Sequence, residues 1–396
     1  MNTRILRAAA LAAAAFAVAG CGGSDDSSFH TAVFGDVPYG ADLVEFKAMP
    51  SYIAAINADK DLEQAAHVGD LHSGSEPCTQ AYDQAIAKFF TQFTLPLVYT
   101  PGDNEWADCQ KAKQMNGKYT ATDPALGLPA NVKLDSYANG NPVDNLQLVR
   151  SLFFAKPGQT LGSGRLTVHS QAQDGKTDGD RQFVENVWWI KSGVLFVAVN
   201  IPGGSNNGTD VWWAAASATD QQTQEVATRS AATRNWLNTA FDQAAANNAG
   251  AVVILTQADM WSAEEPAASA HLSQYKQYVD IIADRTARFA KPVLLINGDT
   301  HLFQSDNPLM SGASCVKEPL AADGSTSGGA AQPCTVDPYA RNQPGTSYAV
   351  KNFHRLAVHG STLPMEWLKL KVDTGASADN GSYAFGPFSW ERKVVR

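Results

Sequence analysis

The chain has 396 residues with 30 basic and 39 acidic side chains, so its formal net charge is −9. This balance argues against non-specific nucleic-acid binding, which needs a basic face, and we expect no nucleic-acid partner. A chain of this length can form two domains, but large α/β sandwiches reach the same size as one unit. Because we find no internal repeat and no proline-rich linker, we predict a single domain over residues 30–396.

The N-terminus carries the pattern of an export signal. A basic start with Arg4 and Arg7 precedes an apolar run that ends in "VAGC". The run is shorter than the roughly 20 apolar residues of a membrane span. "VAGC" is similar to a bacterial lipobox, which implies removal of residues 1–20 and a lipid on Cys21. The alternative is an ordinary secretory signal with an incidental cysteine.

We therefore predict an exported cell-envelope protein that a lipid anchors to a membrane, with no other membrane contact. Residues 21–29 are predicted to be the lipidated cysteine and a flexible tether. Residues 1–20 carry two basic and no acidic side chains, so the mature chain would have a net charge of −11.

Six apolar runs predict buried strands, and four segments between them have helical spacing. The runs begin near Thr31, Ala65, Pro96, Gly193, Ala251 and Pro292, and the helical segments are Thr79–Phe93, Asp144–Phe154, Ala227–Asn247 and Ala268–Phe289. Strands that alternate with helices predict an α/β fold with covered sheet faces. The stretch "FVENVWWIKSGVLFVAVN" is typical of a hairpin, so the sheet is expected to be mixed.

The remaining segments complete the predicted architecture. Near the C-terminus, "HRLAVHG" and "EWLKLKVD" alternate apolar and polar residues, which predicts antiparallel strands. Residues 115–143 and 311–346 are rich in loop-forming residues, and we interpret both as loop insertions.

Four cysteines remain when Cys21 is set aside. An even number in an exported protein favours disulfides. Of the three connectivities we prefer nearest-neighbour pairing, Cys78–Cys109 and Cys315–Cys334. Zinc ligation is the alternative, but no C-x-x-C spacing supports it.

The dipeptide Gly-Asp directly follows four apolar runs, which places Asp36, Asp70, Asp103 and Asp299 at predicted strand ends. Ligands of open α/β sheets bind beyond the carboxyl ends of strands, so we expect these carboxylates to converge. Each glycine is expected to allow a tight turn there. The alternative for any one Gly-Asp is a simple turn or helix cap. A fifth Gly-Asp, ending at Asp180, lies in a polar stretch and serves as an internal control.

Converging carboxylates need a positive partner. Each pair at about 4 Å would cost roughly 4 kcal/mol at an effective dielectric near 20, and none of the four turns contains Lys or Arg. One or two divalent cations are therefore expected at these strand ends. His301 follows Asp299 by two residues and can reach the same ion.

The order and spacing of these blocks resemble those of calcineurin-like metallophosphoesterases, whose motifs run D-x-H, G-D, G-N-H-[DE], a lone His and G-H-x-H. Here the blocks are "GDVPY", "GDLHSG", "GDNEW", "LTQADMW" and "GDTHLF", which extend from Gly35 to Phe303. The resemblance implies a metallophosphatase-like α/β/β/α sandwich with mixed central sheets. It also implies that the two C-terminal strands form a closing hairpin.

The resemblance also implies two sets of metal ligands. The first ion would be held by Asp36, Asp70 and His301, and the second by Asp70, Asp103, Gln257 and Asp299. Asp259 is a second candidate for the place of Gln257. Pro38 replaces the His of D-x-H, which leaves Tyr39 or His72 as substitutes. Because oxygen ligands replace most histidines, we expect two divalent ions and favour Mn²⁺, Mg²⁺ or Ca²⁺ over Zn²⁺ or Fe.

The implied activity is hydrolysis of a phosphomonoester or phosphodiester by attack of a metal-bound hydroxide. Asn104 stands where the family has its catalytic His; it can hydrogen-bond a phosphoryl oxygen but cannot donate a proton to a leaving group. His72, Glu105 or a C-terminal His such as His354 are candidates for the proton donor, and the sequence does not choose among them.

Two hypotheses about the whole protein therefore stay open. The first is a hydrolase whose partner is a small phosphoester substrate, with its oligomeric state left open. The alternative is a non-catalytic envelope lipoprotein that retains the fold and a structural metal site.

Overall fold

The computed structural model describes residues 28–124, 127–262, 268–319, 330–334, 348–376 and 379–395. The predicted signal segment, Cys21 and most of the tether lie outside the described residues, as does much of the predicted 311–346 insertion. The strands are β1 Ser28–Phe34, β2 Leu62–His67, β3 Leu97–Tyr99, β4 His169–Ser170, β5 Val187–Lys191, β6 Val194–Ala198, β7 Ala251–Leu255, β8 Val293–Asn297, β9 Gln304–Asp306, β10 Cys315–Lys317, β11 Gln332–Cys334, β12 Phe353–Ala357, β13 Glu366–Asp373, β14 Asp379–Gly381, β15 Ala384–Gly386 and β16 Phe388–Val394. The helices are α1 Val44–Ala58, α2 Gln80–Phe90, α3 Ala112–Met115, α4 Pro142–Phe153, α5 Gln171–Asp174, α6 Gly203–Asn206, α7 Asp220–Ala246, α8 Ala268–Ser273 and α9 Lys276–Phe289.

The strands of the described part form two mixed sheets. Sheet I has seven strands in the order β14-β15-β16-β13-β1-β2-β3, with β1, β2 and β3 parallel and β13 antiparallel to β1. Sheet II has nine strands in the order β11-β10-β9-β12-β8-β7-β6-β5-β4, and its central strands β6, β7, β8 and β12 are parallel. The mixed character that the sequence predicted is thus confirmed.

The two sheets pack face to face, and helices cover their outer faces. One apolar cluster joins Val33 of β1 to Phe196 of β6 and Leu294 of β8 across the sandwich. Helices α1, α2 and α4 pack on the outer face of sheet I, and α7 and α9 pack on that of sheet II. The fold is therefore the predicted α/β/β/α sandwich, and the continuous apolar runs of β7 and β8 follow from burial on both faces.

The predicted elements appear with shifted bounds. The hairpin of β5 and β6 is confirmed, and the predicted helix 268–289 is divided into α8 and α9. Helix α1 was not predicted from the sequence; it contains Pro50, and proline normally breaks the interior of a helix. Phe46, Tyr52 and Ile53 on its buried face pack against sheet I, and this packing overrides the propensity.

The predicted closing hairpin of the C-terminal strands is wrong. Strand β12 lies in sheet II between β8 and β9, whereas β13 lies in sheet I between β1 and β16. All five residues of β12 are buried, so the strand fits the interior of a sheet and not an edge hairpin. The chain crosses from one sheet to the other between the two strands.

Both predicted disulfides are present, Cys78–Cys109 and Cys315–Cys334. Two disulfides indicate an oxidising compartment outside the cytoplasm. In the part of the chain that the structure describes, no helix is both long and apolar enough to cross a membrane.

We expect the two disulfides to differ in their effect on metal binding. Removing either pair by Cys→Ser substitution should lower the free energy of unfolding by about 3 kcal/mol, since both close loops of moderate length. Only Cys78 and Cys109 contact the carbonyl of Asn104, so only that double variant should also bind divalent metal more weakly. Denaturant melts and metal titrations of both variants check this, and equal metal affinities would contradict it.

The free energy of unfolding should decrease as the pH is lowered below 6.5, because His354 titrates. This ring packs against Phe385 and Trp390, and burial lowers its pKa to about 4 from 6.5. Below pH 6.5 the unfolded chain binds a proton that the folded chain refuses until about pH 4, so unfolding becomes easier across that range. Between pH 6.5 and pH 4.5 the free energy of unfolding should decrease less in His354→Gln than in the parent, by on the order of 2 kcal/mol. Denaturant melts at three pH values test this, and equal slopes would disprove it.

Candidate metal centre

The four strand-end aspartates meet at one edge of the sandwich. Asp36, Asp70 and Asp103 follow β1, β2 and β3 of sheet I, and Asp299 follows β8 of sheet II. The carboxyl ends of the parallel strands in both sheets therefore open onto the same edge. The backbone N–H of Asp299 donates to both carboxylate oxygens of Asp36, at 3.0 and 3.2 Å, and this contact joins the two sheets.

A close group of potential metal ligands lies at this edge. Asp36, Asp70 and His301 each place one ligand atom within 4.8 Å of the others, and no other group of three or more His, Cys, Asp or Glu side chains is this close in the described residues. Two ligands on one cation at about 2.0–2.6 Å lie at most roughly twice that far apart. Both aspartates are buried, while the His301 side chain is 34% exposed. The group thus fits one cation and faces solvent through its imidazole.

The backbone at these residues is strained. Asp36, Asp70, Asp299 and His301 have φ values of 52°, 61°, 77° and 60°, in the left-handed region. For a residue other than glycine this costs roughly 1–3 kcal/mol, and such conformations concentrate at functional sites. Four of them around one point support a site that the fold maintains at an energetic cost.

The glycines of the Gly-Asp pairs mainly make room for neighbouring carboxylates. A Cβ on Gly102 would lie 1.9 Å from Asp70 Oδ1, and one on Gly298 would lie 2.4 Å from Asp36 Oδ2. Of the four glycines only Gly69 has a positive φ, 96°. The expectation that each glycine relieves a tight turn is therefore correct at Gly69 alone, and at Gly102 and Gly298 the reason is close approach.

Gln257 faces the second predicted ligand set with its nitrogen. Its Nε2 lies 3.2 Å from Asp70 Oδ2, 2.9 Å from Asp103 Oδ1 and 3.4 Å from Asp299 Oδ1. Its Oε1 accepts the backbone N–H of Gly203, which sets the orientation of the amide. In this arrangement Gln257 donates hydrogen bonds and is not an oxygen ligand, so its ligand role stays a prediction that requires the amide to turn over.

Asn104 and Tyr39 also donate hydrogen bonds to Asp70. The backbone N–H of Asn104 donates to Asp70 Oδ1 (3.2 Å), and its Nδ2 donates to Asp70 Oδ2 (3.0 Å) and to the Tyr39 hydroxyl (2.7 Å). Tyr39 in turn donates to Asp70 Oδ2 at 2.7 Å, and its ring meets His301 edge-on. Of the two substitutes considered for the missing histidine, the structure brings Tyr39 to the centre.

The candidate proton donors have other partners. The His72 ring is buried edge-on against Tyr82 with Nδ1 3.1 Å from the Ser73 carbonyl oxygen, and burial lowers its pKa to about 4. Glu105 accepts from the Tyr99 hydroxyl (2.5 Å) and from the N–H of Gly102 (2.7 Å), so it braces the turn before Asp103. His354 lies in sheet II, where its Nε2 is 2.9 Å from Ser305 Oγ. The catalytic roles of these residues stay predictions.

Asp259 orients its neighbours. Its carboxylate pairs with Arg355 at 2.7 Å, and its backbone N–H donates to Asp299 Oδ2 at 2.8 Å. Arg355 also pairs with Asp306 at 2.8 Å, and all three side chains are buried. Arg355 was not among the predicted residues, although an arginine within the apolar strand β12 was a signal of a buried ion pair.

The electrostatics of the centre favour a divalent cation. Burial raises the pKa values of Asp36, Asp70 and Asp103 well above 3.8, and nearby carboxylates raise them further. Lys111 is the cation that most opposes this at Asp103. A divalent ion would offset the repulsion that these groups feel when ionised. The donor set of carboxylates and one imidazole therefore fits such an ion.

No protein-family model matches the chain, and no curated protein matches it either. Among solved structures, the chain is similar to the purple acid phosphatase PPD1 from yellow lupin (Lupinus luteus) seeds, with a TM-score of 0.35 and 11% identity over 87% of this chain. The chain spans about half the length of that protein, 49%. A likeness this distant carries no argument about activity, so the functional interpretation rests on the residues of the chain itself.

Proposed function

We propose that the protein is a metal-dependent hydrolase of phosphomonoesters or phosphodiesters that acts outside the cytoplasm. The observation that carries the proposal is the convergence of Asp36, Asp70 and His301, with left-handed backbone angles, at the edge where the two sheets open. Lipid attachment at Cys21 belongs to the same proposal and places the enzyme at a membrane.

The proposed ions share one carboxylate. Asp36, Asp70 and His301 would hold the first ion, and Asp70, Asp103 and Asp299 would hold the second once the Gln257 amide turns away. Divalent ions bound there would offset the charge on phosphoryl oxygens and lower the pKa of a water molecule. The oxygen-rich donor set supports Mn²⁺, Mg²⁺ or Ca²⁺ over Zn²⁺ or Fe.

The chain's own groups position these ligands. The Tyr39 hydroxyl keeps its proton, because burial and then the neighbouring Asp70 raise its pKa well above 10, and it therefore holds Asp70 as a donor. Asn104 is close enough to Asp70 that its amide can turn to donate to a phosphoryl oxygen. Because Asn104 cannot protonate a leaving group, esters of acidic alcohols should be hydrolysed faster than esters of simple alcohols.

Metal content and hydrolysis test the proposal together. The purified protein is freed of metal with a chelator, reloaded separately with Mn²⁺, Mg²⁺, Ca²⁺ and Zn²⁺, and assayed with 4-nitrophenyl phosphate and bis(4-nitrophenyl) phosphate. We expect two bound ions per chain and hydrolysis of at least one ester with a hard ion. Absence of bound and activating metal would refute the proposal. Bound metal without hydrolysis would favour the non-catalytic alternative. This alternative is considered because Asn104 replaces the catalytic histidine of the family that the motifs resemble.

A further inference from the structure

A pocket of about 450 Å³ lies on the side of the candidate centre formed by α3 and the segment after α6. Its walls include Gln110, Lys111, Met115, Lys133, Asp210 and Trp213. This volume lies within the range of roughly 300–1,000 Å³ for small-molecule sites. None of these residues belongs to the candidate ligand sets, so the pocket is separate from the metal centre.

Gly204 shows how near the pocket is to the centre. A Cβ on Gly204 would lie 3.2 Å from Asp103 Oδ2, 3.3 Å from Asp108 Oδ1 and 3.7 Å from Asp210 Oδ2. Three carboxylates thus surround one backbone position, with Asp103 at the centre and Asp210 in the pocket wall. Lys111 bridges Asp108 and Asp210 at 2.8 and 3.0 Å. The wall of the pocket therefore lies beside Asp103, a proposed ligand of the second ion.

Trp213 is the feature of the pocket that packing does not explain. All nine tryptophans lie in the described part of the chain; eight are buried, and Trp213 alone is exposed, at 41%. Its backbone is left-handed, with φ 55° and ψ 27°, which is unfavourable for a residue with a side chain. Gln110 fixes this conformation by accepting the Trp213 N–H at 2.6 Å, and the buried Trp212 supports the ring edge-on.

The charges of the pocket do not favour a second anionic group as its main occupant. Lys111 is already paired with two carboxylates, and Lys133 is exposed at the rim. An indole face with an apolar neighbour such as Met115 instead favours a flat ring, which stacks without needing hydrogen bonds of one pattern.

We propose that this pocket binds an aromatic ring in the alcohol part of the phosphoester substrate, with Trp213 as the stacking residue. The inference rests on the proposed function for its substrate, but the binding of a ring to Trp213 does not depend on hydrolysis. It narrows the substrate class to nucleotide-like or other ring-bearing phosphoesters.

Two matched substrates isolate the contribution of the ring. Adenosine 5′-monophosphate and ribose 5-phosphate both leave a primary alcohol and differ by the base. We expect kcat/KM to favour the nucleotide, and Trp213→Leu to lower that preference roughly tenfold, as for loss of one stacked base. Trp213→Tyr keeps a ring and should retain most of the preference. Val394→Ala, an exposed apolar position on β16 outside the pocket, is the control and should leave the preference unchanged.

A binding measurement separates this inference from the proposed function. Adenosine has no phosphoryl group, so its binding does not require metal. We expect it to shift the indole N–H resonance of Trp213 in a ¹H–¹⁵N spectrum, assigned by its absence in Trp213→Leu, and to bind that variant more weakly. If both substrates are hydrolysed without preference and adenosine does not bind, the proposed ring binding in the pocket is refuted and the proposed hydrolase activity is retained. Adenosine binding at Trp213 without hydrolysis of these substrates or of the two 4-nitrophenyl esters would support the pocket and overturn the proposed activity.

Discussion

Asp70→Asn should abolish tight metal binding and lower kcat/KM for phosphoester hydrolysis by more than about a hundredfold. Asp70 is the carboxylate that both proposed ions share. The asparagine side chain has the same shape as the aspartate side chain but carries no charge. Loss of residues that only orient metal ligands already costs roughly 10–100-fold, so loss of a shared ligand should cost more. Metal analysis after dialysis and initial rates with 4-nitrophenyl phosphate measure the effect.

The same variant should be more stable than the parent when both lack metal. Burial and three neighbouring carboxylates, Asp103, Glu105 and Asp36, raise the pKa of Asp70, so near neutral pH its ionised form is disfavoured in the folded chain. A carboxyl group whose pKa is raised by folding makes the protein less stable as the pH rises from the group's unfolded pKa toward its folded pKa. The substituted amide has no charge to bury. Thermal melts above pH 7 with chelator should show a higher Tm for the variant, and added Mn²⁺ should raise only the parent's Tm.

Asp180→Asn is the matched control for Asp70→Asn. Asp180 belongs to the fifth Gly-Asp pair, is also buried, and receives hydrogen bonds from Thr177 and Asn235 away from the strand ends. The control substitution should change metal content and kcat/KM little, whatever it does to stability. Equal metal content in all three proteins would show that Asp70 is not a ligand and that the centre is misplaced.

The convergence of the strand-end aspartates was predictable from the sequence because its signal is local. A glycine and a carboxylate after a buried run mark a strand end, and the two-layer sheet packing then brings Asp36, Asp70 and Asp299 together. The orientation of Gln257 was not predictable, because it depends on a backbone N–H of Gly203, 54 residues away in sequence. Local sequence patterns therefore predict which residues lie at this edge, whereas long-range contacts decide how each side chain is oriented there.

The strand assignment shows the same division. Strand β12 was predicted from its alternation of apolar and polar residues, but its place beside β8 is decided by the sheet into which its buried side chains pack. Helix α1 was not predicted; Pro50 inside it is a local signal against a helix, and the apolar face that overrides this signal needs sheet I as a partner. Trp213 gave no signal at all, since a second tryptophan beside Trp212 looks like one more core residue.

Gly102→Ala should weaken metal binding although it replaces none of the proposed ligands. An alanine Cβ would lie 1.9 Å from Asp70 Oδ1 and 2.5 Å from the Asp70 backbone nitrogen, and a backbone nitrogen cannot rotate away. Gly102 does not have a positive φ, so the effect is steric and not a matter of backbone strain. Either Asp70 or the turn of residues 102–105 must move.

The displaced turn also carries the contacts that orient the centre. The N–H of Gly102 donates to Glu105, and the N–H of Asn104 donates to Asp70, so a shift weakens both. We expect the free energy of unfolding to fall by about 3 kcal/mol, as for overpacking of a buried site, and metal affinity to fall at least tenfold. Gly381→Ala, where no atom lies within 4 Å of the new Cβ, should change stability by no more than about 0.5 kcal/mol. If denaturant melts and metal titrations of Gly102→Ala match those of the parent, Asp70 does not lie against Gly102 and the close packing of the two strand ends is wrong.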